Sequence, residues 1–246
     1  MATKNVLQYV QSCLNTMDSD EVDTIADTAE ATQIAELLED VYYELLNRQE
    51  WEFLKGPVTL TAAGDITNPT KFTVPAGLRH LHKVWYNIDE SGGMNRRELL
   101  FVEPEDFLLR TGGSAAAGKL LITEGSQLQF YVRTDRMPTF YTTFDDVTIY
   151  CDAYKASIET SLVTSKISAF GVALPAFAVD DEFVPELPEN MVPLLQATLN
   201  ATSHLYFKQQ ASAPDEARVR RQLAQARTRN SIVASRSTYY ANSFGR

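Results

Sequence analysis

The stretch TAEATQIAELLEDVYYELL, residues 28–46, has the strongest helical pattern of the 246-residue chain. Its apolar residues recur at helical spacing and define one face, made of Ile34, Leu37, Leu38, Val41, Leu45 and Leu46. Asp27 and Glu30 resemble a capping box, so we predict that the helix begins there and ends near residues 49–55. Such a face has to be buried against other elements, and the stretch therefore predicts a helical layer.

Helical spacing also occurs near both ends of the chain. After a possible Thr3 cap, a first helix is marked by Val6, Leu7, Val10 and Leu14. Near the other end, a helix with Pro193 in its first turn has one side formed by Leu195, Leu199, Thr202 and Tyr206. Ser212 and Asp215 begin the last helix, which has a narrow apolar stripe of Val219, Leu223 and Ala226. These helices are expected to pack on one another.

The apolar rhythm between these helical sections changes to short β-rich runs. Over residues 58–154 they are VTLTA, KFTV, LHKVWYNI, LLFV, KLLIT, QLQFYVR and VTIYCDAY. Residues 104–109 predict a short helix between strands, and residues 157–177 predict one or two further strands. Trp51 and Phe53 are expected to fill the junction between the two layers.

The predicted fold class is α+β. A helical bundle of residues 1–56 and 186–234 carries a large β-rich insertion of residues 57–185. Residues 235–246 have no helical or strand period and predict an extended C-terminal tail.

Charge is unevenly distributed along the sequence. The net charge is −10, which argues against general coating of nucleic acid, because Lys and Arg make the phosphate contacts. Residues 18–52 contain twelve acids and one base, whereas residues 214–246 contain seven arginines and two acids. This asymmetry suggests association between unlike surfaces.

Other features restrict the class of protein. The two cysteines, Cys13 and Cys151, have no metal-type spacing and are predicted to be reduced, buried thiols. No run approaches about 18 apolar residues, so neither a signal peptide nor a membrane span is predicted, and synthesis in a reducing cytoplasm is expected.

Two motifs suggest a ligand. Residues 113–119, GSAAAGK, match GxxxxGK, but Leu120 replaces the Ser or Thr that would hold magnesium, and a strand-like run follows instead of a helix. A small-residue hairpin loop is the favoured interpretation. His80 and His82 alternate on a predicted strand and share one side, yet no third zinc ligand is evident, and no metal site is predicted.

Acidic clusters and catalytic patterns give no enzyme prediction. Residues 145–146 and 180–182 are consecutive acids without calcium-loop spacing, and we interpret them as solvated loop charges. The sequence has no GxSxG and no dinucleotide fingerprint, so no catalytic residue and no cofactor are predicted. Paired carboxylates that meet only in space would leave no trace in sequence, and an accessory hydrolase stays an alternative.

The last predicted helix is rich in arginine. Three interpretations stay open for this face: an interface with acidic groups of a neighbouring subunit, a solvated helix face, and a nucleic-acid contact. The charge asymmetry favours the interface. The residues concerned are Arg218, Arg220, Arg221, Arg227 and Arg229.

Several runs resemble the head-to-tail adaptor proteins of short-tailed bacteriophages. IAELLEDVYYELLNRQEWEFL at 34–54 and DDEFVPELPENMVPLLQATLNATSHLYFKQQASAPDEARVRRQLAQAR at 180–227 resemble the helical part of these adaptors. Three runs resemble the β-part of phage neck proteins: FTVPAGLRHLHKVWYNI, LLFVEPEDFLLR and MPTFYTTFDDVTIYCDAY. The resemblance covers residues 28–229 and is one of layout, without an invariant motif.

The resemblance implies a structural virion protein at the head–tail junction, assembled in the host cytoplasm. It implies a ring of twelve subunits under the portal, with helices in the ring wall and the DNA channel continued through the ring. C-terminal tails would reach into the portal, which assigns portal contacts to Arg236, Tyr239, Tyr240 and Phe244. The β-insertion, larger than in the smaller adaptors, would contact a tail tube, nozzle or fibre protein. The alternative is a small-ligand-binding β-domain or accessory hydrolase on a helical stalk.

Overall fold

The computed structural model describes the backbone of residues 4–89, 91–125 and 128–243, and the side chains of these residues up to 235. Within them the fold is α+β, with five α-helices: α1 (Val6–Thr16), α2 (Ala29–Asn47), α3 (Pro104–Thr111), α4 (Val192–Lys208) and α5 (Ala213–Ser243). The chain divides into a helical unit, Met1–Leu54 with Pro175–Arg246, and a β-rich unit, Lys55–Leu174. No helix in the described part of the chain is long and apolar enough to cross a membrane.

Polar side chains begin the first two helices. Asn5 caps α1 by accepting a hydrogen bond from the backbone N–H of Gln8, whose side chain accepts one from the Asn5 N–H. Thr28 caps α2, its hydroxyl oxygen accepting a bond 3.1 Å long from the first turn. The predicted cap at Asp27 is wrong, because that carboxylate accepts hydrogen bonds from the preceding turn instead. The predicted Thr3 cap lies outside the described residues.

Helix α4 is the innermost helix of the helical unit, and it packs on α1, α2 and α5. Its buried residues surround the helix: Leu194, Leu195, Gln196, Ala197, Thr198, Leu199, Asn200 and Ser203. The Gln196 side-chain amide donates to Asn200 Oδ1 at 2.9 Å, so these buried polar groups satisfy each other. The predicted one-sided apolar face is wrong at its end, since Tyr206 is exposed.

The segment of residues 175–187 belongs to the helical unit, although it was predicted to end the β-insertion. The Phe177 ring packs on Tyr42, and the Phe183 ring packs on Phe177, both with centroids 5.1 Å apart. The first turn of α1 also donates a backbone hydrogen bond of 2.9 Å to the Phe183 carbonyl. The β-rich unit therefore ends at Leu174, before the predicted boundary at residue 185.

The β-rich unit contains ten strands in its described residues. They are β1 (Lys55–Val58), β2 (Thr61–Ala62), β3 (Lys71–Thr73), β4 (Leu78–Asn87), β5 (Arg96–Phe101), β6 (Lys119–Glu124), β7 (Leu128–Arg133), β8 (Phe140–Thr143), β9 (Thr148–Cys151) and β10 (Ile167–Ala173). Eight form one sheet in the order β1-β10-β4-β5-β8-β9-β3-β2, and β6 pairs with β7. β5 and β8 are parallel, whereas the other neighbouring strands are antiparallel.

Helix α3 covers an aromatic core in the β-rich unit. Pro104 begins this helix, where its missing N–H costs nothing, which confirms the short helix predicted there. Phe107 is fully buried, and the rings of Phe130, Phe140 and Phe144 lie 5.5, 5.8 and 6.1 Å from it, edge to face. This packing fixes the orientation of α3 over the strands.

Helix α5 is longer than the sequence predicts. It has 31 residues, so it spans about 46 Å, and its backbone is helical up to Ser243. The extended tail predicted from residue 235 is therefore wrong as far as Ser243. Residues 231–243 contain neither Gly nor Pro, and the absence of a helix breaker outweighs the missing apolar period.

Candidate interaction surface

Helix α5 follows α4 through a four-residue connection in which Gln209 has a left-handed φ of 51°. Ser212 and Asp215 bond to each other at its start, 2.6 Å between the hydroxyl and the carboxylate oxygen. Up to residue 235, Ala226 is the one residue of α5 that is buried. Most of the surface of α5, up to residue 235, is therefore exposed.

Asn230 attaches the second half of α5 to the chain that leaves α2. Its side-chain amide donates to the Glu50 carbonyl at 2.9 Å, and its side-chain oxygen accepts from the Glu52 N–H at 2.8 Å. One side chain thus satisfies a backbone acceptor and a backbone donor beyond the end of α2. Nothing in the sequence period around Asn230 indicates this role.

The Asn230→Ala variant is expected to be less stable by about 1–2 kcal/mol. Two backbone groups lose their partner, at about 1 kcal/mol each, and the better helix propensity of alanine offsets up to ~0.7 kcal/mol. Urea unfolding would measure the loss. The control is Ser231→Ala, an exposed neighbour on the same helix, and equal stability of the two variants would contradict the attachment.

The arginines predicted as a subunit interface are all exposed on α5. They are Arg218, Arg220, Arg221, Arg227 and Arg229. Arg220 pairs with Glu216 on the same helix at 3.2 Å, an exposed pair that contributes little. The other four have no ion pair with any residue that the structure describes. This face is therefore able to accept carboxylates from another molecule.

Helix α2 carries an exposed acidic stripe. Glu36, Asp40 and Glu44 follow each other at four-residue spacing on its outer side. Glu44 pairs with Arg48 at 2.8 Å, one turn further along. Within the described side chains, no ion pair joins this acidic stripe to an arginine of α5, so the two groups of charges do not neutralise each other within one chain.

An apolar groove, here the Trp51 groove, lies between the chain leaving α2, the chain entering α4 and the second half of α5. Its cavity volume is about 350 Å³, and its apolar lining consists of Trp51, Phe53, Pro188, Met191, Ala226, Ile232 and Val233. Trp51 is 1% exposed and donates from Nε1 to the Leu45 carbonyl at 2.9 Å, which fixes the floor. Ile232 and Val233 are about half exposed at the mouth. The groove is therefore closed at its floor and open at its rim.

A second apolar feature, here the apolar projection, consists of Leu205 and Tyr206 at the end of α4. Leu205 is 58% exposed and Tyr206 is 67% exposed. Exposed apolar patches on a protein surface often mark interaction sites. Met191 of the Trp51 groove precedes α4, so groove and projection are at opposite ends of this helix, about 20 Å apart.

Basic and apolar groups are combined at one end of α4. Arg218, Arg220 and Arg221 lie within about two turns of the α4–α5 connection, and so does the apolar projection. At the other end, the acidic stripe of α2 leads along the chain to the Trp51 groove. The helical unit therefore has a basic end with the apolar projection, and at the opposite end an apolar groove whose lining includes Arg229.

The side chains of the residues predicted to contact the portal lie outside the described part of the structure. Arg236, Tyr239 and Tyr240 are in the helical backbone of α5, with side chains outside the described residues. Phe244 lies outside the described residues altogether. Their assignment stays a prediction.

The two ligand-like motifs lie in the β-rich unit. Lys119 begins β6, so the GxxxxGK segment leads into a strand, as predicted, and lacks the helix N-terminus that binds a nucleotide. His80 and His82 are on β4, with ring centroids 4.7 Å apart and edge to face.

The acidic clusters stabilise loops. Asp145 accepts hydrogen bonds from the N–H groups of Val147 and Thr148 and from the Thr148 hydroxyl, which holds its pKa below the ordinary value despite some burial. Asp181 accepts from the Ile25 N–H at 2.8 Å and ties the segment before α4 to the helical unit.

Both cysteines are free and buried, as predicted. Burial raises the pKa of Cys13 to about 11, and it raises the pKa of Cys151 further. Because the thiolate is the reactive form, both buried thiols have little reactive form at neutral pH.

The chain matches no model of a known protein family and no curated protein.

Proposed function

We propose that this chain is a structural virion protein that assembles head to tail into a ring joining a phage portal to its tail. The observation that carries the proposal is the pair of unlike apolar features at the two ends of α4, a projection at one end and a groove at the other. A surface that complements a different surface of the same molecule makes a heterologous contact, and such contacts close into rings when the rotation permits.

In the proposed contact, Leu205 and Tyr206 of one subunit enter the Trp51 groove of the next. Arg218, Arg220 and Arg221 then meet the acidic stripe Glu36, Asp40 and Glu44. Arg227 and Arg229 follow the same helix towards the groove, where Arg229 contributes to its lining. Single exposed ion pairs contribute only about 0–1 kcal/mol, so the apolar contact supplies affinity and the charges supply orientation.

The resemblance to head-to-tail adaptors supplies the rest of the proposal. The ring has twelve copies, sits at the head–tail junction of the virion, and continues the DNA channel. A net charge of −10 suits a channel through which DNA passes without being held. The β-rich unit then contacts a tail tube, nozzle or fibre protein.

The C-terminal residues are the proposed portal contact. Arg236, Tyr239, Tyr240 and Phe244 supply aromatic and cationic groups, and several tails that dock together bind far more firmly than one. Deletion of residues 235–246 is expected to leave melting temperature and ring formation unchanged and to abolish retention of the ring on immobilised portal. Normal retention of the truncated ring would assign portal binding to another surface.

Size-exclusion chromatography with light scattering tests the ring. Over rising protein concentration at low salt, we expect the monomer to give way to one large species of defined mass, without a continuous distribution of larger aggregates. A monomer at every concentration, or a dimer that grows no further, would contradict a head-to-tail ring.

A further inference from the structure

The β-rich unit has a small cavity of about 130 Å³, here the basic cavity, where the end of α3 meets β6 and β7. Four cationic side chains line it: Arg110, Lys119, Arg133 and Arg136. Arg110 is in the last turn of α3, Lys119 begins β6, and Arg133 ends β7. The cluster is assembled by the fold from segments that are separate in sequence.

Two of these cations face each other across a strand pair. Lys119 and Arg133 are direct partners in the antiparallel register of β6 and β7. Side chains at such positions are about 5 Å apart at Cβ, and like charges there destabilise the pair. A fold that keeps two cations opposite each other gains from an anion placed between them.

Two carboxylates are already engaged with arginines of the basic cavity: Asp152, which lines it, and Asp135 beside it. Buried Asp152 accepts from the N–H groups of Thr139 and Phe140 at 2.7 and 3.0 Å through Oδ1, and from Arg136 at 2.8 Å through Oδ2. Asp135 forms a two-pronged pair with Arg133 at 2.9 and 3.1 Å. Each acid therefore offsets part of the charge of one arginine.

Arg110 and Lys119 keep an uncompensated charge. Among the described residues neither has a carboxylate partner. The Arg110 guanidinium lies over the Phe140 ring at 5.6 Å, and the Lys119 ammonium lies over the Tyr131 ring at 5.7 Å. These rings orient the cations without neutralising them. The whole unit has twelve Lys and Arg residues against thirteen Asp and Glu, so the positive excess is local.

Lys119 is the last residue of the GxxxxGK segment. Gly113 and Gly118 turn the loop with φ of 116° and 77°, and a Cβ at Gly113 would lie 3.7 Å from Lys119 Nζ. The loop thus folds beside the Lys119 ammonium, although no helix follows it.

We propose that the basic cavity binds a tetrahedral oxyanion of the phosphate type. Arg110 and Lys119 make the charge-assisted hydrogen bonds, and Arg133 and Arg136 complete the positive field. The cavity is well below the 300 Å³ or more typical of sites for drug-sized ligands, so it accepts a phosphate group and not a whole nucleotide. The group enters as the free ion or as the end of a small phosphate ester.

Isothermal titration of the full chain at constant ionic strength, with inorganic phosphate and separately with phenyl phosphate, tests the site. Saturable binding of at least one of these ligands is expected. If only phenyl phosphate binds, the natural ligand is a phosphate ester and not the free ion. The double variant Arg110→Gln and Lys119→Gln should weaken binding about tenfold or more. The matched control, Arg96→Gln with Arg97→Gln, removes two exposed cations of β5 and should change the affinity by less than about twofold.

A second readout is thermal melting without any phosphate. Lys119→Gln alone should raise the melting temperature, since it removes the repulsion from Arg133, and phosphate should stabilise the parent chain but not the double variant. No saturable binding of either ligand, or equal affinity of the double variant and the parent chain, would overturn the proposal.

Discussion

Simultaneous replacement of Arg218, Arg220 and Arg221 by Glu is expected to abolish self-association at low salt. These arginines are exposed, so the change leaves the helical unit folded. Three attractions become three repulsions, which costs roughly 1–3 kcal/mol per interface, or about five- to 150-fold in affinity. A ring multiplies this loss over its interfaces. Light scattering across a salt series should show a larger effect at low than at high ionic strength.

The complementary change sharpens this test. Glu36→Arg, Asp40→Arg and Glu44→Arg reverse the acidic stripe of α2 and should block association in the same way. An equimolar mixture of the two reversed chains should assemble again with the two kinds of chain alternating, because one interface then joins two reversed faces and the next joins two native faces, and both pairs have opposite charges. Alternation around the ring permits only even copy numbers, and twelve is even.

The control for charge alone is Arg79→Glu, Arg96→Glu and Arg97→Glu in the β-rich unit, which makes the same change in net charge at exposed positions. This variant should assemble normally. If it fails as the α5 variant does, net charge and not the α5 face governs association. Unaltered assembly of the α5 variant would remove the arginines from the interface.

Replacement of the apolar projection by Leu205→Ser and Tyr206→Ser is expected to abolish assembly at every salt concentration. An aromatic residue buries about 150–250 Å² in a groove, and at about 25 cal/mol per Å² the exposed parts of both side chains account for several kcal/mol before ordering costs. Their exposure in the helical unit means that the melting temperature should stay within about 2 °C. Salt independence separates this effect from that of the arginines.

Leu109→Ser with Leu121→Ser is the matched control, since both are exposed leucines of the β-rich unit. This pair should assemble like the parent chain. Loss of assembly in both pairs, or in neither, would contradict the role of Leu205 and Tyr206.

The sequence identifies the helices better than their ends. The spacing from Ile34 to Leu46 predicts α2, because an amphipathic period extends over several turns. Its cap is one residue off, since Asp27 and Thr28 are both good caps and only the turn before the helix selects between them. β8 was not predicted as a strand, because four residues after Pro138 carry too little alternation. Its parallel pairing with β5 depends on contacts remote in sequence.

The candidate surface was predicted in part. Several arginines close together in a helical sequence predict an exposed helix face, and the structure confirms that these arginines are exposed. The Trp51 groove combines segments about 140 to 180 residues apart, and no local pattern indicates such proximity. The basic cavity is similar, since Lys119 belongs to a visible motif while Arg110 and Arg133 carry no signal of their own.

Thiol cross-linking between subunits tests the head-to-tail contact most directly. The two native thiols are buried, and burial raises their pKa. They therefore do not compete with introduced cysteines for the cross-linker. A chain with Asp40→Cys is mixed with a mass-labelled chain with Arg221→Cys and treated with a short bismaleimide. We predict a covalent pair of one of each, and from the doubly substituted chain a ladder of oligomers that ends at the closed ring. Absence of the mixed pair, or a link formed only within single chains, would contradict the contact between α5 of one subunit and α2 of the next.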